Sequence, residues 1–570
     1  MGANKLIPAG FLLVLVVFAA TGLAASTPVG VSRPVAGGGT DGFGNCTLGS
    51  YPTNRSESAI AADRSGRLLG VSKFFFASPY QGENTDWSQV YRFQIGSYEG
   101  TTNELLPGYD CVSGPATGLL GWDSATDPNV AFDYAGNAYS AVLGFNYDNL
   151  QNVLAVSKKP AGGDWQRPVV VKQFVGNGRG REYDKQWITA DWNAPCSAGQ
   201  TSACSPFSGY VYAVWTVFGV NTGKIYFSRS TDGGATWSPA SQIAQQSGPF
   251  NTYIYVDVDN RGTLYVEYTE FGKKFAGSGS AAVLVSTDGG KSFAGPYNGP
   301  SFNALPFADR TNQGNTLPNT TFRDGIIDYF AASHSNPGTL WLVAEQWDKS
   351  SCTPTSDPSG DYDVAVFRST DAGKTWAGLG CANSAATQGD ATDQFQPQVA
   401  TDTQGHVAVN WYDRRNACPT AQPAPGYYTS PGAANYCIQV GLQWYRDATG
   451  AAVGSNEIIG PSWDPQQPAN GPAPVGSQAG YVSDIPHSVF SPCYSDGIPI
   501  CVTFIGDYFG LAVHDGTAYS LSVSTYPTVQ NGQTVDAWSQ ATGDSTSPGS
   551  IAPAANGYYQ QQVLATSTSP

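Results

Sequence analysis

The chain has 570 residues, a formal net charge of −16 and an isoelectric point near 4.6. Such acidity argues against nucleic acid and anionic membranes as partners. Only 13% of residues are charged while 41% are hydrophobic and 12% aromatic, with 67 Gly and one Met; this composition favours a turn-rich, all-β protein.

Residues 1–25 read as an export signal. Lys5 gives the positive start, Phe11 to Ala20 the apolar run, and Gly22-Leu23-Ala24 the small residues near a cleavage point. The run is short for a membrane span, so no membrane insertion is expected after its removal. A secreted or extracellular location follows, with the periplasm or a cell surface also open. Residues 26–49 read as an N-terminal linker containing Gly37-Gly38-Gly39.

A repeating unit then runs over 50–538. Glu57 to Leu69, Asp127 to Tyr139, Tyr253 to Val266 and Gln396 to Val409 each join two apolar strands through an Asp-x-x-Gly turn. The turns are Asp63/Gly66, Asp133/Gly136, Asp259/Gly262 and Asp402/Gly405. Each is a β-hairpin in which Gly takes the positive-φ position. Looser copies begin at Asp184, Asp324 and Asp507. The segment around 450–500 reads as a loop insertion and 539–570 as a flexible tail, both rich in Pro, Gly, Ser and Ala.

In three units a third strand runs into a further pattern, Ser-Thr-Asp-x-Gly-x-(Thr/Ser)-(Trp/Phe). The copies are Ser230 to Trp237, Ser286 to Phe293 and Ser369 to Trp376. The Asp side chain can accept hydrogen bonds from turn amides, Gly supplies backbone freedom, and the aromatic re-enters the apolar layer. This pattern resembles the Asp box of sialidase-like (BNR-repeat) β-propellers. The resemblance implies a single propeller of six or seven four-stranded blades. Seven hairpin starts favour seven, and a shared closing blade would leave six. It also implies that Asp232, Trp237, Asp288, Phe293, Asp371 and Trp376 are structural and lie away from the functional face.

Ten cysteines, an even number, fit an exported protein. Neighbour pairing gives Cys46–Cys111, Cys196–Cys204, Cys352–Cys381, Cys418–Cys437 and Cys493–Cys501 as the simplest scheme, although sequence cannot prove connectivity. A zinc site is disfavoured, since there is no Cys-x-x-Cys and only four His residues.

In a propeller, ligands usually bind over one mouth of the axial tunnel. Aligning the repeats puts Glu57, Asp127, Asp184, Asn251, Asp324, Asp393 and Asp507 near the starts of the inner strands. Acidic groups gathered there would shift one another's pKa values or recruit a cation such as Ca2+, and no other cofactor is expected. The competing reading is that each caps a local turn. The resemblance to sialidases implies an arginine triad, a Tyr nucleophile activated by Glu, and an Asp acid/base. Yet no early (Phe/Tyr)-Arg-Ile-Pro motif is present. The candidate catalytic set is Asp184, Glu267, Tyr268, Arg414 and Asp507. Candidate ligand contacts are Asp127, Lys185, Trp187, Arg323, Asp324, Tyr412, Arg415 and Tyr508. Two functions stay open: a glycoside hydrolase of sialidase-like fold with altered chemistry, or a non-catalytic module that binds an extracellular glycan or glycoprotein.

Overall fold

The computed structural model describes residues 30–31, 55–79, 89–99, 102–106, 122, 124–145, 151–174, 182–198, 203–219, 222–244, 250–271, 278–303, 328–348, 352, 361–383, 392–417, 436–463, 505–524, 528–530, 533–535 and 561–570. All regular structure among them is β. A short strand β1 (Gly30–Val31) precedes six sheets of four consecutive strands. Blade 1 holds β2 (Arg55–Ala62), β3 (Leu68–Pro79), β4 (Gln89–Glu99) and β5 (Thr102–Leu105). Blade 2 holds β6 (Ser124–Phe132), β7 (Ala138–Phe145), β8 (Asn152–Lys159) and β9 (Val169–Phe174). Blade 3 holds β10 (Glu182–Ala190), β11 (Val211–Gly219), β12 (Thr222–Ser230) and β13 (Ser241–Ala244). Blade 4 holds β14 (Phe250–Val258), β15 (Leu264–Phe271), β16 (Ser278–Ser286) and β17 (Ala294–Asn303). Blade 5 holds β18 (Asp328–Ala332), β19 (Leu340–Asp348), β20 (Asp361–Ser369) and β21 (Ala377–Cys381). Blade 6 holds β22 (Gln394–Thr401), β23 (His406–Ala417), β24 (Tyr436–Arg446) and β25 (Ala452–Trp463).

The seventh blade is assembled from both ends of the chain. β26 (Gly510–His514) pairs with β27 (Thr517–Ser524), β27 with β30 (Gln561–Thr568), and β1 pairs antiparallel with β30 at the outer edge. Strands β28 (Thr528–Gln530) and β29 (Gln533–Val535) form a separate small hairpin. The blade count is therefore seven. Three expectations need correction: part of the segment read as a linker is strand β1, residues 452–463 of the segment read as a loop insertion are strand β25, and residues 561–568 of the segment read as a tail are strand β30. The run Val563-Leu564-Ala565 is apolar enough to cover Leu521, with which Leu564 pairs.

Each blade buries both faces against its neighbours, which explains the nearly unbroken burial of second strands such as β7 and β15. Seven apolar clusters fill the seven seams, from the Leu69, Val71 and Val142 group between blades 1 and 2 to the small Ile60, Ala512, Leu521 and Leu564 group between blades 7 and 1. The first strands, β2, β6, β10, β14, β18, β22 and β26, contact one another in sequence around a closed ring and so line the axis.

The two turn types fall at fixed places. Asp-x-x-Gly turns link first to second strands: Asp63 Oδ1 accepts from the amides of Ser65 (2.8 Å) and Arg67 (3.0 Å), and Gly66 has φ of 82°. The Ser-Thr-Asp turns link third to fourth strands at the rim end of blades 3, 4 and 5. In each, the Ser hydroxyl donates to the Asp and accepts from the amide of the Gly four residues on (Gly234, Gly290 or Gly373), while the Asp also accepts from the Thr/Ser amide and hydroxyl. These bonds, led by that from the Thr236 hydroxyl, lower the Asp232 pKa to about 2. The aromatic that ends each turn packs on the seam with the preceding blade, as Phe293 does edge-on against Phe227 at 5.0 Å. Glycine is required there twice over: Gly290 has φ of 78°, and a Cβ on it would stand 2.4 Å from Phe227 Cζ.

Disulfides Cys196–Cys204 and Cys352–Cys381 are formed, and Cys437 is disulfide-bonded. Cys46, Cys111, Cys418, Cys493 and Cys501 lie outside the described residues, as does the segment 1–25 read as an export signal.

Candidate functional site at the axial mouth

The inner strands share a defect that aims side chains at the axis. In β2, β6, β10, β14 and β22 the register with the second strand slips near the same end, leaving a β-bulge. The bulges hold Glu57 (φ 50°), Asp127 (φ 54°), Lys185 (φ 50°), Tyr253 (φ 49°) and Gln396 (φ 49°) in the left-handed region. None is glycine, so each such conformation costs roughly 1–3 kcal/mol that the surrounding sheet must over-determine.

Three of these residues converge with Asp507 in one charged network drawn from blades 1, 2, 3 and 7. Lys73 Nζ on β3 lies 2.7 Å from Glu57 Oε2 and donates to Thr126 Oγ1 at 3.1 Å. Thr126 Oγ1 in turn lies 2.6 Å from Asp127 Oδ1 and 3.2 Å from Glu57 Oε2, and the Asp127 amide donates to Glu57 Oε2 at 3.2 Å. Lys185 is ion-paired with Asp507, and Asp184 Oδ1 accepts from the Lys185 amide at 2.8 Å. Glu57 and Asp127 are nearly enclosed, at 1% and 5% exposure, whereas Asp184, Lys185 and Asp507 stay half-buried at the opening.

The environments push like groups apart. Burial, reinforced by the Asp127 charge, raises the Glu57 pKa to about 7. Asp127 is also buried, but the ammonium groups of Lys185 and Lys73 outweigh that cost and hold it below its ordinary value. Burial raises Asp184 well above its usual range, and burial together with the Asp127 charge raises Glu182. Against its own burial, Lys185 is held firmly protonated by Asp507, Asp184 and Asp127.

Beneath this network the axis is closed by aromatic rings. Trp187 meets Tyr255, Tyr329 and Tyr508 edge-on at 5.1, 5.5 and 5.5 Å, and the Tyr508 hydroxyl donates to Pro128 O at 2.8 Å. Trp187 and Tyr508 therefore floor the mouth.

Several expected site residues lie elsewhere. Glu267 is fully buried on the side of the seam between blades 4 and 5, near enough to Asp328 for the two carboxyl groups to interact; Tyr268 points into the opposite seam, and its hydroxyl reaches Glu270 at 3.4 Å. Strand alternation separates the two, so they form no nucleophile–base pair. The Arg414–Arg415 clamp also divides. Arg414 is buried against Asp393 at 3.0 Å, and Arg415 binds Asp413 through both Nε (2.8 Å) and NH2 (2.5 Å). Both guanidinium groups already have carboxylates, so neither is a free anion clamp. Tyr412 is core: it stacks on Phe509 at 4.1 Å, and its hydroxyl accepts from the Val523 amide. Arg323 and Asp324 lie outside the described residues. Sequence reading left Lys73 and Thr126 unnamed and put Glu57 only among the acidic groups at the inner-strand starts, outside the catalytic and ligand-contact sets. The bulge was the missing signal, and it has no composition of its own.

The donor set at the mouth does not fit Ca2+. Lys73 pairs with Glu57 and Lys185 with Asp507, and a hard cation binding either carboxylate would have to displace an ammonium group. Elsewhere among the described residues, the one close grouping of Cys, His and carboxylates is Cys352, Cys381 and Asp363, whose sulfurs are joined to each other.

No protein-family model matches the chain, and no curated protein matches it. Among solved structures it is similar to the Hadza microbial sialidase Hz136, at 9% identity and TM-score 0.39 over 87% of this chain and 96% of that one. It is also similar to a Penicillium chrysogenum alpha-L-arabinanase complexed with arabinobiose, at 12% identity and TM-score 0.35 over 68% and 93%. The NanB sialidase of Streptococcus pneumoniae follows at 11% and 0.32, over 93% and 70%. Likeness at this level does not bear on activity.

Proposed function

We propose that the chain is an exported, glycan-directed propeller whose axial mouth is a hydrolytic centre for neutral sugars. The observation that carries this reading is the Glu57–Thr126–Asp127 arrangement, two carboxyl groups flanking one hydroxyl with opposite protonation preferences. Glycoside hydrolysis needs such a pair: one acid holding a proton for the leaving oxygen, and one carboxylate to meet the developing positive charge or activate water. Glu57 is the proton holder below about pH 7, and Asp127 the anion. Lys185 fixes Asp507 and supports the Asp127 charge, while Asp184, Lys185 and Asp507 make the first contact with sugar hydroxyls. The acidic surplus and the paired state of Arg414 and Arg415 argue against a sialic-acid substrate. Export is supported by the leader-like residues 1–25 and by the disulfides at Cys196–Cys204, Cys352–Cys381 and Cys437. The three Ser-Thr-Asp turns, read as Asp boxes, serve the fold alone.

Fluorogenic neutral glycosides and sialosides, screened with and without EDTA, test this. Neutral turnover that survives EDTA and falls about 100-fold or more in both Glu57→Gln and Asp127→Asn supports the proposal. Sialoside turnover, or neutral turnover unchanged in those variants, overturns it. The near-complete burial of Glu57 and Asp127 favours a second reading, a binding module whose mouth carboxylates only orient Lys185 and Asp507. Under that reading no glycoside is turned over, and neutral glycans bind with an affinity that Asp507→Asn weakens.

A further inference from the structure

A second, chemically different pocket opens between blades 2 and 3, with a cavity volume of about 690 Å3, within the ordinary range for ligand sites. One wall is outer strand β9, carrying Lys172 and Gln173; the other is β11 and β12 of the next blade, carrying Trp215, Lys224 and Tyr226. Tyr226 is half-buried and stacks on fully buried Trp215, with centroids 5.9 Å apart and planes inclined by 27°. The pair is a fixed aromatic platform. Lys172 is exposed and Lys224 half-buried, and neither makes an ion pair among the described residues. Among the other described lysines, Lys73, Lys159 and Lys185 are paired with carboxylates, while Lys158, Lys291 and Lys374 likewise carry no ion pair. Glu182 is adjacent in sequence to pocket residue Tyr183, but alternation turns it to the other face, toward Asp127 and Lys185 of the mouth.

We propose that this pocket binds an anionic sugar unit, a uronate or a sulfated hexose. A sugar ring presents an apolar face, which suits the Tyr226 platform, and its carboxylate or sulfate is met by the two ammonium groups. Gln173 and Thr222 supply neutral polar groups of the kind that bind hydroxyls. The mouth is built around carboxylates and this seam around lysines, so an anionic sugar is disfavoured at the first and attracted to the second. The inference stands independently of the hydrolytic reading.

Isothermal titration of the full chain with trigalacturonate, a sulfated carrageenan tetrasaccharide and maltotriose decides it. Expected is binding of at least one anionic oligosaccharide, weakening as salt rises, with maltotriose at least tenfold weaker at this site. Lys172→Gln/Lys224→Gln should reduce anionic binding about tenfold or more, whereas Asp507→Asn leaves it unchanged. Tyr226→Ala should lose binding, and Tyr226→Phe, which keeps the stacked ring, should retain it, separating loss of the platform from loss of fold. Failure of both anionic probes to bind, or binding untouched by the double lysine variant, overturns the proposal. Inorganic phosphate competing as well as the oligosaccharide binds overturns it too, since the ring would then contribute nothing.

Discussion

At the residue scale, backbone strain and buried charge give the sharpest expectations. The Ser-Thr-Asp turns use two consecutive positive-φ positions, filled by Gly233-Gly234 and Gly289-Gly290 in blades 3 and 4. Blade 5 places Ala372 at the first of these, with φ of 62°. An L-residue with a Cβ pays about 1 kcal/mol there that glycine does not. Ala372→Gly should therefore stabilise the protein by about 0.5–1 kcal/mol in chemical denaturation, and a loss of stability would show that the Cβ packs usefully. Removing the turn's acceptor with Asp232→Ala or Asp371→Ala should cost about 1–2 kcal/mol. A second expectation concerns the carboxyl pair of Glu267 and Asp328. Burial raises Glu267 well above its ordinary 4.5 and Asp328 from 3.8 to about 7, and the Thr269 hydroxyl bonds Asp328 at 2.8 Å. Between about pH 4 and 7 the folded pair keeps protons that the unfolded chain has released, so stability falls as pH rises through that window. Glu57, raised to about 7, adds to the same fall. The thermal midpoint should drop from pH 5 to pH 8. Glu267→Gln, which keeps the shape of the side chain but cannot ionise, should shrink the drop without abolishing it. An equal drop in the variant would place the titration elsewhere.

Elements explain what was legible before the structure and what was not. Asp-x-x-Gly and Ser-Thr-Asp turns are local: every hydrogen bond they need comes from within five residues, so their positions in sequence fix first, second, third and fourth strands. The mouth is different. Its residues come from four blades, and which side chains meet depends on a bulge stabilised by pairing across strands. Asp184 and Asp507 are therefore found near the inner-strand starts, while Glu267 and Tyr412, equally polar or aromatic but in the middle of second strands β15 and β23, turn into seams. Strand β30 escaped reading because its flanks are Pro-, Gly- and Ser-rich and the strand itself has only a short apolar run. The two disulfides give an element-scale prediction. Cys196–Cys204 spans 8 residues and Cys352–Cys381 spans 29, so in the chain-entropy account their removal costs about 2–3 and about 4 kcal/mol, respectively. Paired Cys→Ser variants in denaturant titrations should show that order. The reverse order would mean that native-state contacts around Cys196, not loop length, set the contribution.

At the scale of the whole molecule, a propeller is stable only if its ring closes, because each blade contributes two apolar faces that need neighbours. Six blades are continuous in sequence, and the seventh depends on segments more than 500 residues apart, β1 and β30. Among the described residues, the seam it makes with blade 1 is also the thinnest, resting on Ile60, Ala512, Leu521 and Leu564, whereas its other seam with blade 6 includes Trp347, Tyr412, Trp444 and Phe509. Deleting residues 561–570 removes β30, strips β27 of one hydrogen-bonded edge and takes the anchor from β1. The Trp444 indole, which donates to Ser567 Oγ at 3.2 Å, is orphaned by the same deletion. The truncated chain should lose its cooperative thermal transition or show it lowered by 10 °C or more on the order-of-magnitude scale of several kcal/mol of lost burial. In the intact chain, amide exchange should be fastest in β26, β27 and β30 and slowest in the second strands β11, β15 and β19, which are buried on both faces. The mouth network includes Asp507, three residues before β26 begins, so loosening of this blade should weaken the Lys185–Asp507 pair before the Glu57–Lys73 pair. A truncated chain that melts like the intact one would mean that β27 can serve as the outer strand of the closing blade and that the ring needs only a two-stranded clasp.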